Sequence, residues 1–161
     1  MKLIGLGSLA GLLILATPLW AHEKPPKAAE AGALSMPARG AAATVDAFHA
    51  ALDRGDARTA AGLLVDDALI FEAGGAERSK AEYAGHHLTA DSEFSRAVAS
   101  VVTRRAGSAM GGIAWIASEG RTTGTYKGKA LDLLTTETMV LRRVGSSWKI
   151  THIHWSSSAR R

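Results

Sequence analysis

Four long strand-like segments, joined by very short turns, fill the C-terminal part of the chain. Each is rich in Val, Ile, Thr or Trp, the residue types that favour strands, and they span residues 94–105, 112–126, 130–144 and 147–155. The turns are marked by Gly107, Gly111-Gly112, Lys127-Gly128 and Gly145-Ser146. Because connections this short join neighbouring antiparallel strands, the pattern predicts an antiparallel sheet.

The residues before this sheet favour helices. Val45, Phe48 and Leu52 recur at helical spacing and predict a first helix with one apolar face. A second, short helix is predicted over residues 56–65, where an aspartate stands at the capping position. A third helix is predicted over residues 80–89, because a capping box precedes it.

A short apolar strand is predicted over residues 68–73, between the second and third helices. The predicted fold class is α+β, with three N-terminal helices packed on a strongly curved antiparallel sheet to form a cone-shaped barrel. A curved sheet closed by helices leaves an apolar cavity, and cavities of this kind are the usual sites for small molecules.

The N-terminal 40 residues are predicted to be a signal peptide followed by a tether. Lys2 and the apolar run Leu3–Leu15 are typical of a secretory signal peptide over residues 1–21, although an uncleaved anchor has a similar pattern. We expect cleavage, since Gly and Pro weaken a spanning helix, and hence a periplasmic or secreted protein that meets the membrane only during export. Residues 22–40, rich in Pro and Ala, predict a flexible tether, which leaves one domain over residues 41–157.

Composition excludes several function classes. The 161 residues include no cysteine, so disulfides and thiol nucleophiles are excluded. The net charge of +4 comes from 19 scattered Lys and Arg residues against 15 Asp and Glu residues, and no nucleic-acid surface is predicted. The sequence has no phosphate-binding loop, nucleophile elbow or dinucleotide fingerprint, so no cofactor is predicted.

Histidines on the last strand are the sharpest chemical signal. Strict alternation places His152 and His154 on one face, roughly 6.6 Å apart, together with Trp148 and Ile150. Imidazoles suit either a shared organic ligand or a shared metal ion at neutral pH. A copper or zinc site would need a further ligand, such as His87 or His86 of the third helix, or Glu137 of the neighbouring strand.

Two stretches carry a family resemblance: IAWIASEG at residues 113–120 and TETMVLRRVGSSWKITHIHWSS at residues 136–157. With the order of helices and strands, they resemble the SnoaL-like branch of the nuclear transport factor 2-like cone fold. The second stretch is also similar to the association domain of calcium/calmodulin-dependent protein kinase, with its arginine-rich turn and His-x-His-x-Ser ending. The resemblance covers about residues 41–157 and implies a fold that serves isomerases, dehydratases, cyclases, hubs and binding proteins.

The resemblance also implies roles for particular residues. Glu72 lies where isomerases of this fold carry a carboxylate base, and partial burial would raise its pKa. Met139, which replaces a pocket arginine of the hub domain, is implied to face the cavity together with Glu137. Ketosteroid isomerases use a tyrosine of the first helix, and residues 41–54 contain none. The resemblance further implies a homodimer through the open sheet face, which would cover apolar residues such as Val101, Ile116 and Val140.

The candidate site residues follow from these arguments. The catalytic candidates are Glu72, Tyr83 and His152. The ligand-binding candidates are aromatic, apolar or titratable, and they are Phe71, Tyr83, His87, Trp115, Glu119, Glu137, Met139, His152 and His154. The metal hypothesis uses His152, His154 and His87.

The leading functional hypothesis is an exported SnoaL-like protein that binds a small apolar or amphipathic molecule in the cone cavity. The first alternative is an isomerase, dehydratase or cyclase that uses Glu72 with Tyr83 or a histidine. The second is a periplasmic copper or zinc binder, and the third is an oligomerisation module.

Overall fold

The computed structural model describes residues 33–160, so the predicted signal peptide and most of the predicted tether lie outside the described residues. Secondary structure within this range consists of a 3₁₀ turn (Met36–Ala38), α1 (Arg39–Asp53), α2 (Ala57–Gly62), β1 (Leu64–Glu72), β2 (Gly75–Glu77), α3 (Lys80–His86), α4 (Leu88–Ala97), β3 (Val98–Met110), β4 (Ile113–Tyr126), β5 (Lys129–Val144) and β6 (Ser147–Ala159). None of the helices described is long and apolar enough to cross a membrane.

The strands form a six-stranded sheet in the order β2-β1-β6-β5-β4-β3. Its inner face packs against the helices, and register places Ile116, Met139 and Ile153 side by side there, all fully buried. Val45 and Phe48 of α1 close this core from the other side. The predicted α+β fold, helices packed on a curved antiparallel sheet, is confirmed, with a parallel pairing of β1 and β6 added to it.

A fourth helix occupies part of a predicted strand. Residues 94–97 belong to α4, and β3 begins only at Val98. Neither Gly nor Pro separates α4 from β3, so the sequence contains no residue that marks the end of the helix at this boundary. The hydroxyl of Ser92 donates to the Leu52 carbonyl at 2.8 Å and ties α4 to the end of α1.

The domain begins earlier than residue 41. Leu34 forms a β-bridge with Gly107, and the backbone N–H of Ser35 donates to the Gly107 carbonyl at 3.0 Å. Ala38 is fully buried, and Pro37 stands in the 3₁₀ turn, where its fixed φ suits the start of a helix. The described end of the predicted tether is therefore part of the fold.

A bulge in β6 reverses the predicted facing of its histidines. Ile150 pairs with Leu141 while His152 pairs with Val140, so Thr151 is an extra residue in the ladder. Trp148 and Ile150 face the core before the bulge, and Ile153 faces it afterwards. The prediction that His152 and His154 share the face of Trp148 is wrong, because one inserted residue flips every later side chain.

Candidate functional site

A cavity of about 620 Å³ lies between α1, α4 and the inner face of the sheet. We call it the cone cavity. Its wall is mixed, since hydroxyl groups from β3, β4, β5 and β6 alternate with apolar groups such as Phe94 and Leu133. This size and composition suit a small organic molecule with both polar and apolar parts.

One face of α1 supplies four lining residues. Asp46, His49, Ala50 and Asp53 recur at positions i, i+3, i+4 and i+7, which share one side of a helix. The adjacent side of the same helix carries Phe48 into the core. The helix therefore presents a polar edge to the cone cavity beside its apolar stripe.

His49, Glu137 and Trp155 form a hydrogen-bonded group in the wall of the cone cavity. Nε2 of His49 lies 2.7 Å from Oε2 of Glu137, and the indole Nε1 of Trp155 donates to the same oxygen at 2.8 Å. Burial alone would raise the pKa of Glu137, but the hydrogen bond and charge of His49 lower it below its ordinary value. Burial likewise opposes the charge on His49, yet Glu137 holds the pKa of the imidazole above its ordinary value. The two groups therefore stabilise each other as an ion pair.

Glu72 lies at the end of β1 on the cavity side. Its register partner is Trp155, whose side chain faces inward, and Glu72 is still open to solvent. Partial burial raises the pKa of Glu72, and the nearby carboxylates of Asp91 and Glu77 add to the effect. The group is therefore better able to accept and release a proton near neutral pH than an ordinary glutamate.

Tyr83 and Asp91 form a second polar group beside Glu72. The Tyr83 hydroxyl donates to Oδ2 of Asp91 at 2.7 Å, and Tyr83 is fully buried. Burial raises the pKa of both side chains. Asp91 lines the cone cavity, whereas Tyr83 is not among the lining residues and reaches the wall through its hydrogen bond to this carboxyl.

Arg105 provides a cation in the cavity wall. Its Nη1 donates to Oδ1 of Asp46 at 2.5 Å, and its Nε donates to the Ser118 hydroxyl at 3.0 Å. The guanidinium is thereby fixed between α1 and β4. Among the described lining residues it is the only Arg or Lys, whereas carboxylates are several.

The structure separates the sequence-predicted residues into two sets. Glu72 and Glu137 line the cone cavity, while Tyr83 and Met139 lie in the buried core on the same side of the sheet. His87 lies at the end of α3, where it pairs with Glu77.

The other predicted residues point their side chains to the outer face of the sheet. Phe71 pairs with His154 across the β1–β6 ladder, and the ring of Phe71 contacts the ring of His152. In β4, Trp115 and Glu119 alternate with residues whose side chains point inward. Phe71, His152 and Trp115 are therefore not among the residues that line the cone cavity, whereas Glu119 and His154 are. Parts of Glu119 and His154 border the cavity, yet the Glu119 carboxylate lies toward Arg104 and the His154 ring toward Phe71.

The three residues of the metal hypothesis are not brought together. His152 and His154 face outward, and Nδ1 of His152 lies 2.8 Å from the Leu69 carbonyl. Glu77, the partner of His87, is buried on the opposite side of the sheet. Over residues 33–160, no group of three or more His, Asp or Glu side chains is placed to hold a metal ion.

Sequence reasoning missed His49, Asp91 and Arg105. A signal for His49 was present, because it interrupts the apolar stripe of α1 four residues after Val45. Asp91 was hidden by the unrecognised helix α4. Arg105 belongs to a pair of adjacent arginines, and alternation alone does not say which one faces inward.

Solved structures of other proteins share this fold. A candidate ketosteroid isomerase from Shewanella frigidimarina NCIMB 400 is 37% identical, with a TM-score of 0.72, and the match covers 77% of this chain and 100% of that one. A candidate calcium/calmodulin-dependent protein kinase II association domain from Xanthomonas campestris is 24% identical, with a TM-score of 0.62, over 81% of this chain and 94% of that one. A nuclear transport factor 2-like protein from Salmonella enterica is 15% identical, with a TM-score of 0.64, over 76% and 91%. The chain is thus a cone-fold protein of the nuclear transport factor 2-like class.

Within that class the assignment is narrower. The profile of the SnoaL-like domain family matches residues 41–160, and the chain belongs to this family. The resemblance predicted from the sequence is confirmed, and the family includes isomerases and dehydratases. Among curated proteins, none matches the chain significantly.

Proposed function

We propose that the protein binds a small, amphipathic organic molecule in the cone cavity. The observation that carries this proposal is the cavity itself, about 620 Å³ in volume and lined by both hydroxyl and apolar groups. Carboxylates outnumber the single lining arginine, which favours a neutral ligand over an anionic one.

A neutral fluorescent probe, N-phenyl-1-naphthylamine, tests this proposal. Its fluorescence should rise on binding to the wild-type protein, and Ala50→Trp should abolish the rise because Ala50 lines the cone cavity. Ala47→Trp is the matched control, since Ala47 is exposed on the same helix outside the cavity. Equal binding by both variants would contradict the proposal.

A second candidate function is proton transfer of the isomerase or dehydratase type, with Glu72 as the base. It is supported by the raised pKa of Glu72 at the cavity wall and by similarity to the Shewanella candidate isomerase. A β,γ-unsaturated ketone is a suitable test compound, since Glu72 would remove the α-proton and return it at the γ-carbon. Glu72→Gln should suppress formation of the conjugated ketone, while Glu93→Gln, on the exposed side of α4, should not. Activity that survives Glu72→Gln would argue against this role.

We also propose a homodimer through the outer face of the sheet. Four exposed large apolar residues share that face by register: Phe71, Val101, Trp115 and Leu134. Ile116, which we expected there, is buried in the core. Light scattering after size exclusion should give twice the monomer mass, and Trp115→Glu should give monomers. Met36→Glu, exposed in the 3₁₀ turn and not in a strand, is the control; a monomeric wild type would exclude both the dimer and an oligomerisation module.

Export to the periplasm or beyond remains part of the proposal, on the pattern of residues 1–21. The mature protein should begin near His22 and be found in the periplasmic or secreted fraction. Terminal sequencing of the native protein decides this, since an intact Met1 in the membrane fraction would identify an anchor.

A further inference from the structure

His49 is held so that only one of its ring nitrogens is engaged by the protein. Nε2 lies 2.7 Å from Oε2 of Glu137, and the Trp155 indole, which can only donate, points at that same oxygen. Glu137 must therefore accept from both, and Nε2 of His49 carries a hydrogen. No described group forms a hydrogen bond with Nδ1.

The ring of His49 lies at the wall of the cone cavity rather than within the core. His49 lines the cone cavity, and 38% of its side chain is exposed, whereas only 10% of the Glu137 side chain is. Both side chains line the cavity, and the imidazole is the more exposed of the two. Phe48 packs edge-on against the ring, and the same Phe48 stacks on Trp155, so the group is braced from the core side.

We propose that His49 is an acid–base residue of the cone cavity that exchanges a proton with the bound ligand through Nδ1, with Glu137 and Trp155 as its positioning residues. The inference rests on the proposed ligand binding in this cavity. An imidazole transfers protons best to groups whose acidity it approaches, such as a phenol, an enol or a C–H activated by an adjacent electron-withdrawing group. The ligand class is therefore a neutral, weakly acidic small molecule.

The charged groups around His49 set the pH at which it works. Glu137 of β5 favours the imidazolium most, Asp53 of α1 adds to this, and Arg105 of β3 opposes it, as burial does. The net effect raises the pKa of His49 above 6.5. The imidazolium therefore persists to higher pH than in a free histidine, and the neutral ring that can accept a proton forms as the pH rises through the raised pKa.

Nitrogen NMR of the histidine side chains tests the arrangement directly. The resonances of His49 are assigned by their absence from the spectrum of His49→Gln. In the neutral ring, hydrogen should reside on Nε2, and Glu137→Gln should lower the midpoint of the His49 titration. Glu119→Gln is the matched control, because that carboxylate lies on the outer face of the sheet. A neutral ring protonated on Nδ1, or a midpoint unmoved by Glu137→Gln, would overturn the inference.

Reactivity is tested with 5-nitrobenzisoxazole, a neutral carbon acid. Nδ1 takes the proton from C3, the C3–H electron pair forms the nitrile, and the N–O bond breaks to give 2-cyano-4-nitrophenolate without any co-reactant. The rate should rise with pH through the His49 midpoint, and His49→Gln should lower it about a hundredfold. Glu137→Gln should shift the profile down in pH, as in the NMR titration, whereas Glu93→Gln, on the exposed side of α4, should leave its midpoint unchanged.

Failure of the proposed ligand binding and failure of the proposed role of His49 give different results. If the wild type does not bind N-phenyl-1-naphthylamine, the proposed ligand binding fails, and the NMR titration alone decides the state of His49. If the probe binds equally to wild type and His49→Gln, ligand binding stands. The assignment of His49 is then overturned if both proteins have the same elimination rate, or if Glu72→Gln rather than His49→Gln lowers that rate.

Discussion

Trp155 lies directly opposite Glu72 in the parallel pairing of β1 and β6. Its indole donates to Glu137 at 2.8 Å, while Tyr83 packs against its ring at 6.5 Å between centroids. Trp155 thus stands between the His49–Glu137 pair and the group formed by Tyr83 and its partner carboxyl. The cone cavity therefore has two separate hydrogen-bonded groups of titratable side chains, one on each side of this indole.

Glu72→Gln should stabilise the protein slightly at neutral pH. Folding raises the pKa of Glu72 above its ordinary 4.5, so the carboxyl binds its proton more tightly in the folded state than in the unfolded state. The folded state therefore loses stability as the pH rises from 4.5 through the raised pKa. Solvent screening limits the gain to about 0.5 kcal/mol. Urea unfolding at pH 7 and at pH 3.5 measures it; Glu93→Gln is the control, and a gain that persists at pH 3.5 would contradict this explanation.

The His49–Glu137 pair should stabilise the fold within a defined pH window. The pKa of Glu137 is lowered from 4.5, so its contribution is present above pH 4.5 and is lost as pH falls through the lowered value. The pKa of His49 is raised from 6.5, so its contribution is present below pH 6.5 and is lost as pH rises through the raised value. Both contributions are complete between pH 4.5 and 6.5.

A double-mutant cycle of His49→Gln and Glu137→Gln measures this pair. We expect a coupling free energy of about 1–2 kcal/mol at pH 5.5 and a much smaller one at pH 9. The bidentate pair of Arg121 and Asp132 is the control, because both its groups stay charged at pH 9. Equal coupling of His49 and Glu137 at both pH values would show that charge does not hold the pair.

Residues 33–38 should contribute to stability. A chain that begins at Arg39 loses the Leu34 bridge, the hydrogen bond from Ser35 to Gly107 and the burial of Ala38. Against a chain that begins at Ala33, the free energy of unfolding should fall by about 2–3 kcal/mol. In denaturant unfolding, Leu34→Ala should reproduce part of this loss. Equal stability of the two chains would mean that the contacts of residues 33–38 do not stabilise the domain.

Gly107→Ala should destabilise the fold although Gly107 lies in a regular strand. A Cβ there would lie 2.7 Å from Cδ1 of Ile116 and 2.8 Å from the Trp115 carbonyl oxygen, too close for either to remain in place. We expect a loss of about 1–3 kcal/mol by thermal or denaturant unfolding. Gly112→Ala, whose nearest contact would be an ordinary 3.7 Å, should change stability little. A similar loss for both variants would mean that the glycine backbone, not the close contact, matters.

Local patterns predicted most elements of the fold because they are properties of the segments themselves. Alternation along residues 113–126 and 130–144 agrees with β4 and β5, and the capping box agrees with the start of α3, where Ser79 accepts from the Glu82 N–H. The turn predicted at Gly107 is wrong, because this residue lies within β3, and a glycine required by close packing looks the same in sequence as one required by a turn.

The candidate site was less predictable because its geometry depends on tertiary register. One bulge residue, Thr151, decides that His152 faces outward, and no local property of the sequence marks it. The partner of His49 lies 88 residues away along the chain, so only the folded arrangement reveals the pair.

The parallel ladder of β1 and β6 has a consequence for how the protein acquires its site. Leu69 and His152 meet across this ladder although 83 residues separate them in sequence. The large loop entropy of such a contact makes it slow to form, and it cannot form on the ribosome until the last strand has emerged. Glu72 and Trp155 are brought together by the same step, so the cone cavity is completed only at the end of folding, and nascent chains that lack β6 carry an incomplete pocket.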